Sequence, residues 1–298
     1  MSDQNPISYI ERTRAYYLAL GYDNPYEWAA FDAPAFTKLK KPLHEMKIGL
    51  VVTAAPYKEG AGEQGPGAAY NGSAKFFDVW AMPTEPMPHL YISHIAIDRD
   101  HTTAEDQGTY FPLKALQVHL AEGKIGGIAQ HIYGFPTNRS QRTNIEKDAP
   151  ALTQMMIEDD CDAAVLVPNC PVCHQSVAIA ARHLEDNGIP TVIMGAAKDI
   201  VMHARVPRLL FSDFPLGNSA GKPHDQSSQY ETMKLALDLL VGAERAETVW
   251  DNPQIWSEDH SWKEDYSNPD KLSAQEIARR RAAFDAAKTD AQKLKRSE

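Results

Sequence analysis

The sequence predicts an α/β fold built on a mostly parallel sheet with helices on both faces. Short apolar runs of strand length alternate with longer amphipathic segments along the central part of the chain, and such alternation is typical of parallel sheets. The runs are continuously apolar, as expected for strands that are covered on both sides. We therefore expect a doubly wound sheet of the flavodoxin or Rossmann type, with an N-terminal helical arm and a C-terminal helix.

The predicted elements follow one another in a regular order. Strands are predicted at the short apolar runs, over residues 47–53, 90–97, 127–133, 162–167, 191–194 and 208–211. Helices are predicted from apolar periodicity and capping signals, over residues 9–20, 111–122, 149–159, 172–187 and 228–240. A last helix begins after the capping box Ser273-Ala274-Gln275-Glu276 and runs toward Lys295.

Three regions are expected along the chain. Residues 1–45 supply the N-terminal helix and arm, residues 46–245 the α/β catalytic core, and residues 246–298 an aromatic-rich segment with the C-terminal helix. An open alternative divides the core into two α/β lobes, near residues 46–145 and 146–245. Residues 57–73 form a long glycine-rich loop, and loops of this length are more often functional or mobile than inert. The aromatic segment and terminal helix leave a homo-oligomer open.

Charge and composition exclude several function classes. The 298 residues carry a formal net charge of −10, which argues against broad nucleic-acid binding. No apolar run reaches the length of a membrane span, and the first residues lack the basic and apolar regions of a secretory signal. We therefore expect a cytoplasmic protein without a membrane partner, whose three cysteines stay reduced.

Cys170 and Cys173 stand where a predicted strand gives way to a helix, in the segment Asn169-Cys170-Pro171-Val172-Cys173-His174. A helix N-terminus offers free backbone N–H groups and the positive end of the helix dipole, and both favour a thiolate. The three-residue offset brings the second thiol close enough to attack a sulfur or an adduct formed on the first. Ligand sites of open parallel sheets also lie beyond the carboxyl ends of the strands. The segment therefore predicts a redox-active thiol pair.

The same residues allow three other interpretations. Cys170 to His174 spells the haem-attachment motif Cys-x-x-Cys-His, but that chemistry normally follows export and needs a further ligand that the chain does not show. A zinc site could combine Cys170, Cys173 and His174 with Cys161 or a distant residue, although no second closely spaced ligand pair is present. Two buried cysteines without a chemical role are the third interpretation. We expect no resident metal or cofactor.

Histidines near the predicted site are candidates for acid–base work. His174, directly after Cys173, is the first choice for the proton donor because of its proximity. His94 and His131 are predicted at strand ends on the same edge of the sheet. For these two, a structural role and a catalytic role are equally open.

Tyr133 and Asn218 complete the set of possible acid–base or substrate-binding residues. Tyr133 ends the same predicted strand as His131. Asn218 belongs to residues 214–221, where two glycines let the backbone approach a ligand. This loop departs from the phosphate-binding pattern, so we expect a tight turn beside the site.

Three blocks of the chain are similar to a known family. The first runs from Ser93-His94 through Phe111-Pro112-Leu113 to residue 126, the second from residue 162 through the thiol pair to residue 191, and the third from Pro207-Arg208 to Asn218. Their order and spacing resemble the selenoprotein B family of the glycine, sarcosine, betaine and D-proline reductases, in particular its shorter homologues. From the first to the last, the blocks lie between residues 93 and 218 of the 298.

The resemblance implies roles for both thiols. In that family a selenocysteine lies three residues before a cysteine at the start of this helix, which implies a nucleophilic Cys170 and a resolving Cys173. The family cleaves carbon–heteroatom bonds reductively, and works with a separate pyruvoyl-bearing subunit and a carrier selenoprotein. This chain departs from the reductases because sulfur replaces selenium and because it is shorter than the full subunit.

Residues and resemblance together predict a thiol-dependent reductase of a small molecule. Cys170 attacks a substrate with a labile C–N, C–S or C–halogen bond, and Cys173 resolves the adduct and leaves a disulfide. An external thiol or a thioredoxin-like protein then restores the dithiol.

Two rival classes of function stay open. The first is a redox-neutral lyase or isomerase of the aspartate/glutamate racemase type, although the two thiols of such enzymes lie on separate halves of the protein. The second is a non-catalytic protein in which the pair binds metal or senses redox state.

Overall fold

The computed structural model describes residues 5–23, 26–137 and 140–297, and within these residues seven strands form one sheet. The strands are β1 Lys47–Val52, β2 Trp80–Pro83, β3 Gly127–Gly134, β4 Ala163–Val167, β5 Thr191–Gly195, β6 Arg208–Phe211 and β7 Thr248–Asp251. The helices are α1 Tyr9–Ala19, α2 Leu113–Ala121, α3 Gln141–Thr143, α4 Ala149–Glu158, α5 Pro171–Asp186, α6 Lys198–His203, α7 Gln226–Gly242 and α8 Ala274–Ser297. A π-helical turn, Asn144–Asp148, joins α3 to α4.

The sheet has the order β2-β3-β1-β4-β5-β6-β7, and every neighbouring pair is parallel except β2 with β3. The chain passes from β1 to β3 on one side and then returns to β4 on the other side of β1. This reversal makes the sheet doubly wound, which confirms the predicted fold class. Strands from residues 46–145 and from residues 146–245, the two lobes of the open alternative, lie together in this one sheet.

Alternate residues of each central strand enter two apolar cores, one on each face. Leu50 and Val165 pack with α2 and α7 in the first core. Val51 and Leu166 pack with α4, α5 and α6 in the second. Because both sides of the strands are covered, their sequences are apolar throughout.

The N-terminal arm lies against α5. The backbone N–H of Ala29 donates to Gln175 over 2.8 Å, and the Thr37 hydroxyl donates to the carbonyl of Glu185 over 2.6 Å. Glu185 itself forms a buried ion pair with Arg208 at 2.8 Å. The arm thus packs along α5.

One predicted strand, residues 90–97, is wrong. Its leucine and isoleucine side chains are buried, as a strand in the core would require. The backbone nevertheless forms turns, and within the segment only Tyr91 makes an isolated bridge, to Ala55. Backbone bonds such as Ile95 N–H to the Ile92 carbonyl close these turns within the segment. The segment therefore caps the carboxyl end of the sheet, and His94 lies in a loop.

Four of the short elements named above escaped the sequence prediction: β2, α3, α6 and β7. Both strands form edges of the sheet, where half-exposed residues give no continuous apolar run. β7 lies inside the aromatic-rich segment, where no strand was predicted. Such elements depend on pairing with a neighbour more than on their own sequence. None of the helices in the described residues combines the length and the apolar character needed to cross a bilayer.

Candidate active site

The thiol pair lies at the carboxyl end of β4, beside the end of β1. These two strands flank the point where the chain order of the sheet reverses. Ligand sites of open α/β sheets lie outside the carboxyl ends of strands at such switch points. The position expected for a site therefore coincides with the position of the two thiols.

Cys170 is the N-cap residue of α5. Its backbone is extended, with φ −122° and ψ 168°, and Pro171 follows at the first helical position. The backbone N–H of Cys173 donates to Sγ of Cys170 over 3.3 Å. The sulfur thus occupies the place of a capping oxygen, as the sequence predicted for a thiol at a helix N-terminus.

The two thiols differ in acidity. Burial raises the pKa of Cys170, but the side chain and the N–H of Cys173, the charge of Lys75 and the N–H of Ala96 favour the thiolate and hold its pKa below the usual value. Burial raises the pKa of Cys173 well above its usual value, and the neighbouring Cys170 raises it further. Of the two thiols, Cys170 is therefore the more acidic, and Cys173 is the one that holds its proton longer.

A loop of residues 93–99 covers Cys170 from above the sheet. Ala96 contributes its N–H to the sulfur, and the Tyr266 hydroxyl donates to the Ala96 carbonyl over 3.1 Å. Arg99 stabilises this loop, because its guanidinium donates hydrogen bonds to the carbonyls of Ser93 and Ile95. Cys170 is only 5 % exposed as a result.

Thr53, directly after β1, is a polar neighbour of the thiols. Its hydroxyl accepts from the Asn169 amide over 3.1 Å and favours the thiolate of Cys173. His94 Nε2 donates to the Thr53 carbonyl over 3.1 Å. Burial, with the charge of Lys75, lowers the pKa of His94 to about 3, so its ring is neutral.

Two buried oxygens at this site have no hydrogen-bond partner among the described residues. They are Asn169 Oδ1, directly before Cys170, and Ser93 Oγ in the covering loop. An unpaired buried oxygen costs about 1–3 kcal/mol. Both oxygens therefore keep unused hydrogen-bonding capacity.

His174 does not face the thiols, which corrects the expectation that it donates a proton there. Its Nδ1 lies 2.8 Å from the Cys170 carbonyl, and its Nε2 accepts the N–H groups of Ala196 and Ala197 at 2.9 and 3.1 Å. Burial lowers its pKa to about 4. A neutral ring with both nitrogens bonded to backbone joins two loops and has no proton to give to a substrate.

His131 and Tyr133 lie apart from the thiol pair, in contrast to the expected common edge. His131 Nδ1 is 2.8 Å from the carboxylate of Asp159, and the Tyr133 hydroxyl donates to the same carboxylate over 2.5 Å. Asp159 follows α4, before the amino end of β4. His131 and Tyr133 point toward this carboxylate near the amino end of β4. They therefore do not reach the thiol pair at the carboxyl end.

Asn218 lies in a turn beside the site, as its loop predicted. Its amide donates to the Pro215 carbonyl over 3.1 Å, and its Oδ1 accepts from the Thr102 hydroxyl at 3.4 Å. Gly217 has φ +110°, and a Cβ there would lie 3.2 Å from Thr102. The geometry gives Asn218 a role in shaping the loop, and substrate binding by it stays a prediction.

Two adjoining cavities open next to the covering loop. The smaller, of about 190 Å³, is lined by the glycine-rich loop and by Tyr91, Ser93 and Arg99. The larger, of about 350 Å³, is lined by Arg99 and by the carboxylates Asp100 and Asp106. Arg99 is shared by both cavities.

The zinc site that was left open as an alternative is not assembled in the described residues. No three His, Cys, Asp or Glu side chains there come together in a metal-binding group. His174 uses both ring nitrogens on backbone, and Cys161 hydrogen-bonds to Tyr133 at 3.4 Å. Cys170 and Cys173 are left as a pair of free thiols.

Several residues of the site escaped the sequence analysis: Thr53, Lys75, Ser93, Arg99, Asn169 and Tyr266. Asn169 carried a signal, because it directly precedes Cys170. Ser93 and Arg99 carried a weaker one, because they lie inside a block that resembles the reductase family. Lys75 and Tyr266 come from segments without a motif, so only the folded chain brings them to Cys170.

Comparison with known proteins gives relatives of one class. The chain is 25 % identical to D-proline reductase subunit gamma of Acetoanaerobium sticklandii over 209 residues, which cover 70 % of this chain and 84 % of that subunit. It is 26 % identical to the glycine reductase complex component B subunit gamma of Carboxydothermus hydrogenoformans over 49 % of this chain and 35 % of that subunit. It is 22 % identical to the betaine reductase complex component B subunit beta of Peptoclostridium acidaminophilum over 49 % of this chain and 34 % of that subunit.

These relatives are components of reductases. The resemblance to the selenoprotein B family that the three sequence blocks predicted is confirmed, and the chain is a homologue of reductase subunits. It spans about a third of the length of the glycine and betaine reductase subunits that it matches. No protein-family model and no solved structure matches the chain.

Proposed function

We propose that this chain is a thiol-dependent reductase that cleaves a carbon–heteroatom bond of a small molecule. The observation that carries the proposal is Cys170 at the start of α5, with its sulfur accepting backbone N–H groups and Cys173 beside it. Homology to reductase components supports the same class of chemistry. Cys170 is the nucleophile and Cys173 the resolving thiol.

The first step is a displacement at carbon. The Cys170 thiolate attacks the substrate carbon and forms a C–S bond. The carbon–heteroatom bond breaks, and its electron pair leaves with the heteroatom, which takes a proton from solvent. The lowered pKa of Cys170 supplies the thiolate that this step needs.

The second step reduces the carbon. Cys173 loses its proton and attacks the sulfur of Cys170, which forms the disulfide. The C–S bond breaks, its electron pair stays on carbon, and carbon takes up a proton such as the one that Cys173 releases. The substrate carbon gains two electrons and the two thiols lose them. An external thiol or thioredoxin-like dithiol then reduces the disulfide and is itself oxidised.

The proposed substrates carry the labile bond next to a carboxyl group. The relatives are named for D-proline, glycine and betaine, and each of these compounds has a C–N bond on the carbon beside its carboxylate. C–S and C–halogen bonds in the same position fit the same two steps. The proposal includes a partner subunit or a second copy of the chain, since the glycine and betaine relatives are components of complexes.

A variant that stops the reaction halfway tests the proposal. In Cys173→Ser, the first step proceeds and the second cannot, so a substrate adduct accumulates on the Cys170 peptide and is weighed by mass spectrometry. The unmodified chain instead forms the Cys170–Cys173 disulfide and releases reduced product. Cys161→Ser is the matched control, because it removes the third thiol from the other end of β4 and should react as the unmodified chain does. Turnover of a confirmed substrate without an adduct or a disulfide would reject the mechanism.

A further inference from the structure

The Arg99 guanidinium lines the smaller cavity and belongs to the loop that covers Cys170. It lines the cavity of about 190 Å³, and it lies close enough to Cys170 and Tyr266 for them to raise its pKa, against a larger lowering by burial. Three of its N–H groups donate to the carbonyls of Ala68, Ile95 and Ser93 at 2.9, 2.9 and 3.0 Å. A guanidinium has five such donors, so one N–H on each terminal nitrogen remains.

The charge of Arg99 is not neutralised by a carboxylate within the described residues. Its hydrogen-bond partners in the described part of the chain are all carbonyls, and none of the described Asp or Glu residues lines the smaller cavity. The adjoining cavity differs, because Asp100, Glu105 and Asp106 line it. A half-buried cation in a cavity without acidic groups favours an anionic ligand in that cavity.

Ser93 provides a second, independent observation. Its side chain is 5 % exposed, lines the same cavity, and its Oγ has no hydrogen-bond partner among the described residues. A hydroxyl is able to donate to an anion, and burial makes an unused one costly. Ser93 and Arg99 thus converge on one small cavity, and the Ser93 carbonyl is held by the Arg99 guanidinium.

We propose that Arg99 and Ser93 bind the carboxylate of the substrate in this cavity and thereby select anionic substrates for Cys170. The inference rests on the proposed function and names the residues that determine its specificity. The two remaining N–H groups of Arg99 match the two oxygens of a carboxylate, and Ser93 donates a third hydrogen bond. The second cavity, with its three acidic residues, repels the same ligand.

Two alkylating reagents of equal size test the proposal without a known substrate. Iodoacetate and iodoacetamide both transfer a carbon to a thiolate and release iodide, but only iodoacetate carries a carboxylate. The rate ratio of the two reagents at the Cys170 peptide, measured by mass spectrometry, cancels any change in the acidity or exposure of the thiol. The same ratio in the denatured chain gives the intrinsic preference.

We expect the native ratio of iodoacetate to iodoacetamide to exceed the denatured ratio by about tenfold, the effect of one charge-assisted contact. Arg99→Gln should return the ratio to the denatured value, Arg99→Lys should keep part of it, and acetate should slow iodoacetate only. Arg142→Gln is the matched control, because Arg142 is exposed on the surface. If Arg99→Gln proves unfolded, Ser93→Ala should still lower the ratio by about threefold.

Two results would overturn the proposal and leave the proposed function intact. The first is a native ratio no higher than the denatured one. The second is an Arg99→Gln variant in which both rates fall in proportion, because Arg99 would then only hold the covering loop. Failure of either reagent to label Cys170 in the folded chain would contradict both proposals.

Discussion

The two ends of β4 hold cysteines in opposite surroundings. At the carboxyl end, Cys170 accepts N–H groups at the start of a helix and lies near the cation Lys75. At the amino end, Cys161 follows the last turn of α4, hydrogen-bonds to Tyr133 at 3.4 Å, and lies near the carboxylate of Asp159. The eight residues between the two cysteines include the five residues of β4.

The difference in acidity follows from these surroundings. Burial raises the pKa of Cys161 to about 11; the Tyr133 hydroxyl acts against this shift, whereas the carboxylates of Asp159 and Asp162 add to it. At Cys170, donors and a cation outweigh burial. A parallel sheet gathers helix N-termini at its carboxyl end and helix C-termini at its amino end. The position of a cysteine along one strand therefore sets its reactivity.

The largest expected effect is on turnover. Cys170→Ser removes the nucleophile and should lower turnover of a confirmed substrate by about 10³-fold or more, as measured by product formation. Cys161→Ser should leave turnover unchanged, because its thiol lies at the other end of the strand. Full turnover in the Cys170→Ser variant would contradict the claim that the cysteine at the carboxyl end of β4 is the nucleophile.

The next effect is on stability at the thiol end. His174→Ala leaves the N–H groups of Ala196 and Ala197 without the ring nitrogen, and leaves the Cys170 carbonyl with only the backbone N–H of residue 174. The free energy of unfolding should therefore fall by about 2–4 kcal/mol. Chemical denaturation measures this change. His203→Ala, on an exposed position of α6, is the control and should stay within about 0.5 kcal/mol.

His174 also gives the stability a pH dependence. Burial holds its pKa at about 4 in the folded chain, whereas an unfolded histidine has a pKa of about 6.5. The unfolded chain binds more protons between these values, so stability falls as pH drops from about 6.5 to about 4, by about 3 kcal/mol from this group. His174→Ala should show a shallower decline over that range. An equal decline in both chains would assign the acid sensitivity to other groups.

A smaller effect is expected at the amino end. Asp159→Asn removes a charge that disfavours the Cys161 thiolate, so its pKa should fall and labelling of its peptide at pH 9 should accelerate about three- to tenfold. Tyr133→Phe removes the hydroxyl that favours the thiolate, and should slow labelling instead. The two variants thus act in opposite directions at one thiol. Equal rates in both would show that burial alone sets the acidity of Cys161.

The smallest effect is expected from Lys75. Lys75→Gln removes a cation that favours the Cys170 thiolate, and should slow labelling of Cys170 near neutral pH by about two- to threefold. The difference should shrink in high salt, since salt screens the interaction. Lys114→Gln, on the exposed side of α2, should have no effect. A loss that is equally large in high salt would point to a structural role for Lys75.

Local sequence was sufficient where an element is long and buried. The strand before Cys170 and the helix after it have continuous apolar or amphipathic patterns, and the structure confirms both. Residues 90–97 have the apolar composition of a strand but do not pair with neighbouring strands. A covering loop with buried side chains has the same apolar composition. Composition therefore does not distinguish a buried loop from a buried strand.

The site was only partly predictable for a related reason. Cys170 and its helix N-terminus are neighbours along the chain, so local rules placed them correctly. The contact of His174 with Ala196 and Ala197 is long-range, and proximity to Cys173 in sequence said nothing about the direction of its ring. Lys75 and Arg99 reach Cys170 from separate loops, which no local pattern reveals.

The most direct test of the account is the pH dependence of alkylation at each cysteine. The reduced, folded chain is treated with iodoacetamide across a range of pH, and the Cys170 and Cys161 peptides are quantified by mass spectrometry. The account predicts that Cys170 labels with a midpoint below that of the unfolded chain, whereas Cys161 labels only as pH approaches about 11. A Cys170 that titrates no earlier than in the unfolded chain, or that labels only after denaturation, would contradict the claim that this end of the sheet activates a thiol.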